Sequence, residues 1–267
     1  MRHQLHFFRI FIFGTMKYIQ LFFVFALMAA PVLAWSQDDE EPLIPQEDID
    51  ELLMWMVDGK YEKVLYKAIR YTEDDKTDDA PRPYAYMSMA YFRIFESDDP
   101  DFAEDYSNAL KEALKYATKY IKKDKEQEYI SEFEEYFDEL RAATISESDV
   151  HIMDEKYTKA KSFYSYLVKL DEEDIGAQVM LGTILWKNRA KRDAEEAWDL
   201  AKSLLAEYGD KGLSEVQRNL LRMAVIWTAE TLEMEGMRSD AIKWINLTSE
   251  YFESDKEFAA VKRSIGG

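Results

Sequence analysis

The chain has 267 residues and a formal net charge of −19 at pH 7, so its electrostatic field repels the phosphates of nucleic acids and anionic membrane surfaces. The composition therefore excludes nucleic acid as a partner. Because 47% of the residues are hydrophobic, the chain has enough apolar material for a core, which excludes disorder as the reason for the charge.

Residues 1–36 are predicted to be a secretory signal peptide. Lys17 precedes a short apolar run, residues 21–34, which contains Pro31 and ends in small residues before an acidic region. Met16 is a better start than Met1, because residues 1–15 lengthen the leader without improving it. We therefore expect export from the cytoplasm.

Two cleavage positions fit this leader, after Ala34 and after Ser36. The alternative is an uncleaved membrane anchor, since residues 18–35 are barely long enough to span a bilayer. The chain has no cysteine, so it has neither disulfides nor the residue that a bacterial lipoprotein needs at its cleavage site. We expect a periplasmic or secreted protein with no stable membrane insertion after cleavage.

Residues 37–47 are predicted to be a flexible acidic lead-in, and residues 48–267 a single all-α domain. No proline occurs from residue 101 onward, and the β-branched alternation of strands is missing. The apolar spacing predicts about ten helices, with a short tail helix at 255–264 after the last of them. They are expected near 48–57, 61–72, 83–96, 101–122, 125–144, 154–170, 174–188, 191–208, 214–235 and 238–252.

Local signals support several of these boundaries. Ser214 and Gln217 have the spacing of a capping box, and Asp174 and Asp255 are suitable N-cap residues. The connections are only two to ten residues long, so successive helices are expected to pack antiparallel as hairpins.

Residues 180–205 carry small residues where two helices would cross. Gly182 and Ala194 are predicted to lie at the crossing point, with Trp198 and Ala201 facing the next hairpin. This pattern of Leu-Gly, a large residue, then Ala, an aromatic residue and Ala resembles the tetratricopeptide repeat (TPR). Residues 229–248 repeat it in part.

The resemblance implies antiparallel hairpins stacked as a TPR-like right-handed solenoid that binds a protein or peptide on its concave face. The repeat is irregular, because Ala194 and Ala241 lie 47 positions apart instead of 34. A generic helical bundle is the alternative, since helix packing alone favours small residues at crossings.

No motif for catalysis or for a cofactor is present. His151 is the only histidine after the leader and is expected in a loop, and no phosphate loop, nucleophile elbow or zinc-binding pair occurs. The acidic clusters, including residues 171–174, are expected to be solvated loops. Lysines spaced along 111–122 face a following acidic helix, which predicts pairing between these two helices.

The family's partner-binding positions lie on the first helix of each hairpin, and the aromatic ones would be anchors of the interface. For each aromatic residue the alternative is ordinary core packing. Carried over to this sequence, the positions are Met89, Phe92, Arg93, Thr183, Trp186, Lys187, Glu230 and Glu233.

We therefore expect an exported, non-enzymatic scaffold that binds a protein or peptide and needs no cofactor. Two alternatives stay open. One is a helical ligand-binding component of an envelope uptake system, and the other is a hydrolase or lyase that uses paired carboxylates.

Overall fold

Helices supply the secondary structure of residues 43–266, the part of the chain that the computed structural model describes, and no strand occurs there. The expectations for residues 1–42 lie outside this part. The twelve helices are α1 (Gln46–Val57), α2 (Tyr61–Glu73), α3 (Pro81–Phe95), α4 (Pro100–Asp105), α5 (Ala109–Lys123), α6 (Ile130–Met153), α7 (Tyr157–Leu170), α8 (Ile175–Lys187), α9 (Lys191–Tyr208), α10 (Glu215–Met234), α11 (Arg238–Thr248) and α12 (Lys256–Gly266).

The predicted helix starts are confirmed where the sequence offers a cap. Both hydrogen bonds of the capping box at α10 form, because Gln217 N donates to Ser214 Oγ and Ser214 N donates to Gln217 Oε1. At α8 the Asp174 carboxylate accepts a bond of 2.9 Å from Ala177 N. These side chains satisfy backbone N–H groups that a helix leaves without partners at its first turn.

Twelve helices occur in the described residues instead of about ten, and three predicted segments differ from the structure. The segment expected at 238–252 is helical only to Thr248. The helix expected at 101–122 is divided into α4 and α5, because the chain turns at residues 106–108, where Ser107 and Asn108 are poor helix formers. The helix expected at 125–144 continues to Met153, so His151 lies in the last turn of α6 instead of in a loop. Its ring stacks on Phe163 of α7 at 5.8 Å, and this contact with α7 favours the added turns.

Two helices are central to the packing. Helix α3 is packed against α1, α2, α4, α5 and α6, and α8 is packed against α7, α9 and α10. Eleven of the 13 residues of α8 are buried, as are nine of the 15 residues of α3. Apart from a small contact of α6 with α10, close packing otherwise joins helices that are near in the sequence.

The small residues of α8 make room for its neighbours, and Trp198 also contacts Trp244 of α11, as predicted for a residue that faces the next hairpin. A Cβ atom at Gly182 would lie 2.4 Å from Trp198 Cδ1, so the indole of Trp198, one turn beyond Ala194, fills the space over Gly182. A Cβ atom at Gly176 would lie 2.6 Å from the backbone nitrogen of Leu221 in α10. Glycine is therefore required for the close contact of α8 with both neighbours.

Helix α3 is joined to α6 by polar groups. The hydroxyls of Ser88 and Tyr136 form a buried hydrogen bond, and Arg82 and Arg93 pair with Glu132 and Glu139 of α6. The predicted pairing between the lysines of α5 and these acids is wrong for the described residues, because Glu132 and Glu139 pair with α3 and Asp138 pairs with Arg141. On α5 the lysines pair with residues of α5 itself and of the α2–α3 loop, or lie over aromatic rings.

A buried ionic network joins α6 to the start of α8. Arg141 Nε donates to Asp174 Oδ2 at 3.1 Å, and the Asp174 side chain is fully buried. The same guanidinium binds Asp138 at 2.7 Å, and Gln217 of α10 donates to Asp171. The expectation of a solvated loop at 171–174 is therefore wrong for Asp174, whose charge is compensated inside the protein.

Candidate ligand groove between α9 and α11

A groove of about 450 Å³ lies between the second helices of two successive hairpins. Helix α9 packs on α8 and α11 packs on α10, whereas α9 and α11 are not closely packed on each other. The space between them forms the groove. Its lining residues are Trp186, Glu195, Trp198, Lys202, Leu232, Met237, Asp240, Lys243, Trp244 and Leu247.

Three indoles form the floor of this groove. The rings of Trp186 and Trp198 stack with centroids 5.2 Å apart, and Trp244 meets Trp198 edge to face at 6.2 Å. Each of the three is at most 5% exposed. Trp198 Nε1 donates to Val179 O at 3.2 Å, which holds its ring against α8. The Nε1 of Trp186 is buried and has no hydrogen-bond partner. The floor is therefore rigid and apolar, as binding clefts commonly are.

The rim of the groove carries charges of both signs, but most of them are paired. Lys243 binds Asp240 at 2.7 Å, and Lys202 binds Asp199 at 2.9 Å. Glu195 is exposed and forms no ion pair within residues 43–266. One negative charge of the rim is therefore left without a partner.

Cations already lie over the indoles. Lys191 Nζ is 4.2 Å from the ring centroid of Trp186, and Lys202 Nζ is 5.5 Å from that of Trp244. Such positions reflect the attraction of a cation to the negative face of an aromatic ring. Lysines of the protein itself therefore already occupy the positions over these two rings.

Of the site residues predicted on α8, only Trp186 lines the groove. Thr183 is fully buried, where its hydroxyl bonds to that of Thr228 at 2.6 Å, so it faces α10 and not a surface. Lys187 is half-buried, with its Nζ 5.7 Å from the ring of Tyr157. These positions are covered because α7, α9 and α10 surround α8.

The other predicted positions lie elsewhere in the structure. Phe92 is 1% exposed and packs on Tyr136, so it belongs to the core. Half-buried Met89 and Arg93 lie on α3, and Arg93 pairs with Glu139 at 2.6 Å. None of the clefts described between residues 43 and 266 brings these residues together with those of α8.

The two glutamates predicted on α10 lie on or near its surface. Glu230 is exposed and Glu233 is half-buried, with Glu233 3.7 Å from Arg238. Although the Glu230 side chain reaches solvent, the surrounding protein partly desolvates its carboxyl and so raises its pKa. The neighbouring carboxylates of Glu257 and Glu233 add to this rise. Neither glutamate lines the groove.

The groove residues on α11 and its preceding turn were not predicted as a site. Trp244 lies within residues 229–248, the partial repeat of the pattern, and Met237 lies between the helices predicted at 214–235 and 238–252. The available signal was the presence of tryptophans at 186, 198 and 244, but their convergence depends on how the hairpins stack. The spacing within a single helix does not show it.

No protein-family model and no curated protein matches the chain. Within residues 43–266 no helix combines the length and the apolar character needed to cross a membrane. The same part of the chain contains no group of three or more acidic, histidine or cysteine side chains arranged to hold a metal ion.

Proposed function

We propose that this protein is an exported, non-enzymatic scaffold of TPR-like hairpins that binds a basic peptide segment of a partner protein in the groove between α9 and α11. The single observation that carries this proposal is the convergence of three indoles from two successive hairpins on one groove. The solenoid arrangement is part of the proposal. It is supported by packing that mainly joins helices near in the sequence.

The partner's chemistry follows from size and charge. A groove of about 450 Å³ with an apolar floor has room for one or two large side chains. The unpaired Glu195, within a protein of net charge −19, attracts a cationic chain. Tryptophan-rich, desolvated pockets are the usual centres of binding energy in protein interfaces. A peptide with an apolar side chain flanked by lysine or arginine meets these three conditions.

The test uses a fluorescent peptide in which lysines flank a single leucine, with binding followed by fluorescence anisotropy. Leu247 lies on the rim and is 39% exposed, so Leu247→Glu changes the groove without disturbing the core. We expect this variant to weaken binding by about tenfold or more. The matched control is Leu200→Glu on α9, since Leu200 is 44% exposed and does not line the groove.

Both substitutions add one negative charge, so a purely electrostatic interaction would be strengthened by both. Equal affinity of the two variants would contradict the proposal, as would equal binding of a peptide in which glutamates replace the lysines. Circular dichroism establishes that both variants keep their helices.

A further inference from the structure

A second cavity is lined by residues between 94 and 163, all of which precede those of the groove in the sequence. It has a volume of about 440 Å³ and lies between α4 and the start of α5 on one side and α6 and α7 on the other. Its apolar wall includes Phe95, Phe102 and Phe163. Tyr106 also lines the cavity, and its hydroxyl donates a hydrogen bond of 3.1 Å to Glu62.

Positive groups predominate among the charged residues that line this cavity. Lys111 comes from α5 and Lys159 from α7, and neither forms an ion pair with a carboxylate within residues 43–266. Glu147 is the only acidic residue of the lining. Two ammonium groups without a carboxylate partner in the described residues therefore lie at one aromatic cavity, and Lys111 Nζ is 5.7 Å from the ring centroid of Phe163.

His151 adds a polar atom that has no partner. Its ring lines the cavity and stacks on Phe163, and Nε2 is 3.8 Å from Glu147 Oε1. Its Nδ1 is buried and has no hydrogen-bond partner. A ligand in the cavity therefore does not reach Nδ1 and meets the remaining edge of the imidazole ring, whose side chain is 16% exposed.

From this combination we infer that the cavity binds a small carboxylate with an aromatic body. The ring of the ligand packs against Phe95 and Phe102, where aromatic pairs prefer edge or offset contacts. The carboxylate lies near Lys111 and Lys159, and the accessible edge of the His151 ring lies beside the bound ligand. This binding site is separate from the proposed peptide groove and does not depend on it.

The test follows the His151 imidazole by nuclear magnetic resonance in the full chain, with its signal assigned by comparison with His151→Gln. The probe is 3-phenylpropionate, and 3-phenylpropanol is its matched neutral analogue. We expect a saturable shift of the His151 signal with the carboxylate and at least about fivefold weaker binding of the alcohol.

Lys111→Met and Lys159→Met are each expected to weaken 3-phenylpropionate binding about fivefold without loss of fold, since both lysines are exposed. The control is Lys119→Met on the same helix as Lys111, because Lys119 is exposed and lies over Tyr84 and Tyr116 outside the cavity. No saturable shift, equal binding of the alcohol, or an equal loss in Lys119→Met would overturn the inference.

Discussion

The regions around α3 and around α8 each enclose a central helix, but by different means. Helix α8 is surrounded through small residues, with Gly176 and Gly182 against α10 and α9, and its ionic contact with α6 is buried. Helix α3 instead carries tyrosines and arginines, with a hydroxyl contact inside and ion pairs at the surface. The comparison indicates that the α8 region combines close backbone packing with a buried ion pair, whereas the ion pairs of the α3 region are partly exposed.

The largest expected difference in stability is between variants of Arg141, which lies on α6 and binds Asp174, and of Arg93, which lies on α3 and binds Glu139. Arg141→Met leaves the Asp174 carboxylate buried without its charge partner and is expected to lower the free energy of unfolding by about 3–5 kcal/mol. Arg93→Met breaks partly exposed pairs with Glu96 and Glu139 and is expected to cost less than about 1 kcal/mol. Urea unfolding measures both, and similar losses would contradict the contrast between the regions.

Close fit in the α8 region is tested by adding one methyl group. In Gly176→Ala the new Cβ would meet the backbone of Leu221, which cannot turn away as a side chain can. We expect a loss of about 1–3 kcal/mol despite the better helix propensity of alanine. Gly266 is also in a helix and has open space around it, so Gly266→Ala is the control and should cause no loss. Thermal unfolding of both variants would show whether α8 and α10 are as close as described.

A smaller difference in stability is expected between the phenylalanine variants of two buried tyrosines. Tyr136→Phe removes the hydroxyl that bonds to Ser88 and is expected to cost about 1 kcal/mol, because Ser88 keeps its bond to Ala113 O. The hydroxyl of Tyr164 in α7 is buried without a partner, so Tyr164→Phe should be neutral or stabilising. Chemical denaturation compares them, and a greater loss for Tyr164→Phe would contradict the assigned hydrogen bonds.

The smallest expected effect is on the pH dependence of stability, at the ion pairs between α1 and α2. Lys67 of α2 binds Asp48 and Glu51 of α1, and this hydrogen bond holds the pKa of Asp48 below its usual 3.8. A lowered folded pKa gives stability that is present above pH 3.8 and is lost as the pH falls through the folded value. Lys67→Met should therefore lower stability by less than about 1 kcal/mol at pH 7.

The difference in stability between Lys67→Met and the unsubstituted protein should narrow below pH 3.8. Unfolding curves recorded between pH 7 and pH 2 would measure it. Lys63→Met is the control on the same helix, because Lys63 is exposed and forms no ion pair within residues 43–266. A constant difference across this range for Lys67→Met would show that the lysine acts through packing alone.

Helix positions were predictable to the extent that local signals set them. The capping residues of α8 and α10 and the long proline-free sequence are local, and these helices lie within one residue of their predicted bounds. The division at 106–108 and the extension of α6 were missed. In α6 the added turns carry a contact with Phe163, which lies on another helix and has no local signature.

The candidate site was predictable only at Trp186. Trp186 was assigned from the repeat resemblance, as a ligand-facing position on the first helix of a hairpin, whereas its partners Trp198 and Trp244 lie on two other helices. Thr183 and Phe92 were expected at a surface, and they are buried because neighbouring helices cover the faces that the repeat resemblance assigned to a ligand.

By itself the sequence determined the helical class, most helix bounds and the need for small residues in α8, because these depend on propensity, caps and spacing within a few turns. Only the tertiary structure decided which faces are covered, which charges are paired and where the grooves lie. Those properties depend on contacts between helices far apart in the chain, and helical periodicity describes a face without specifying its neighbour.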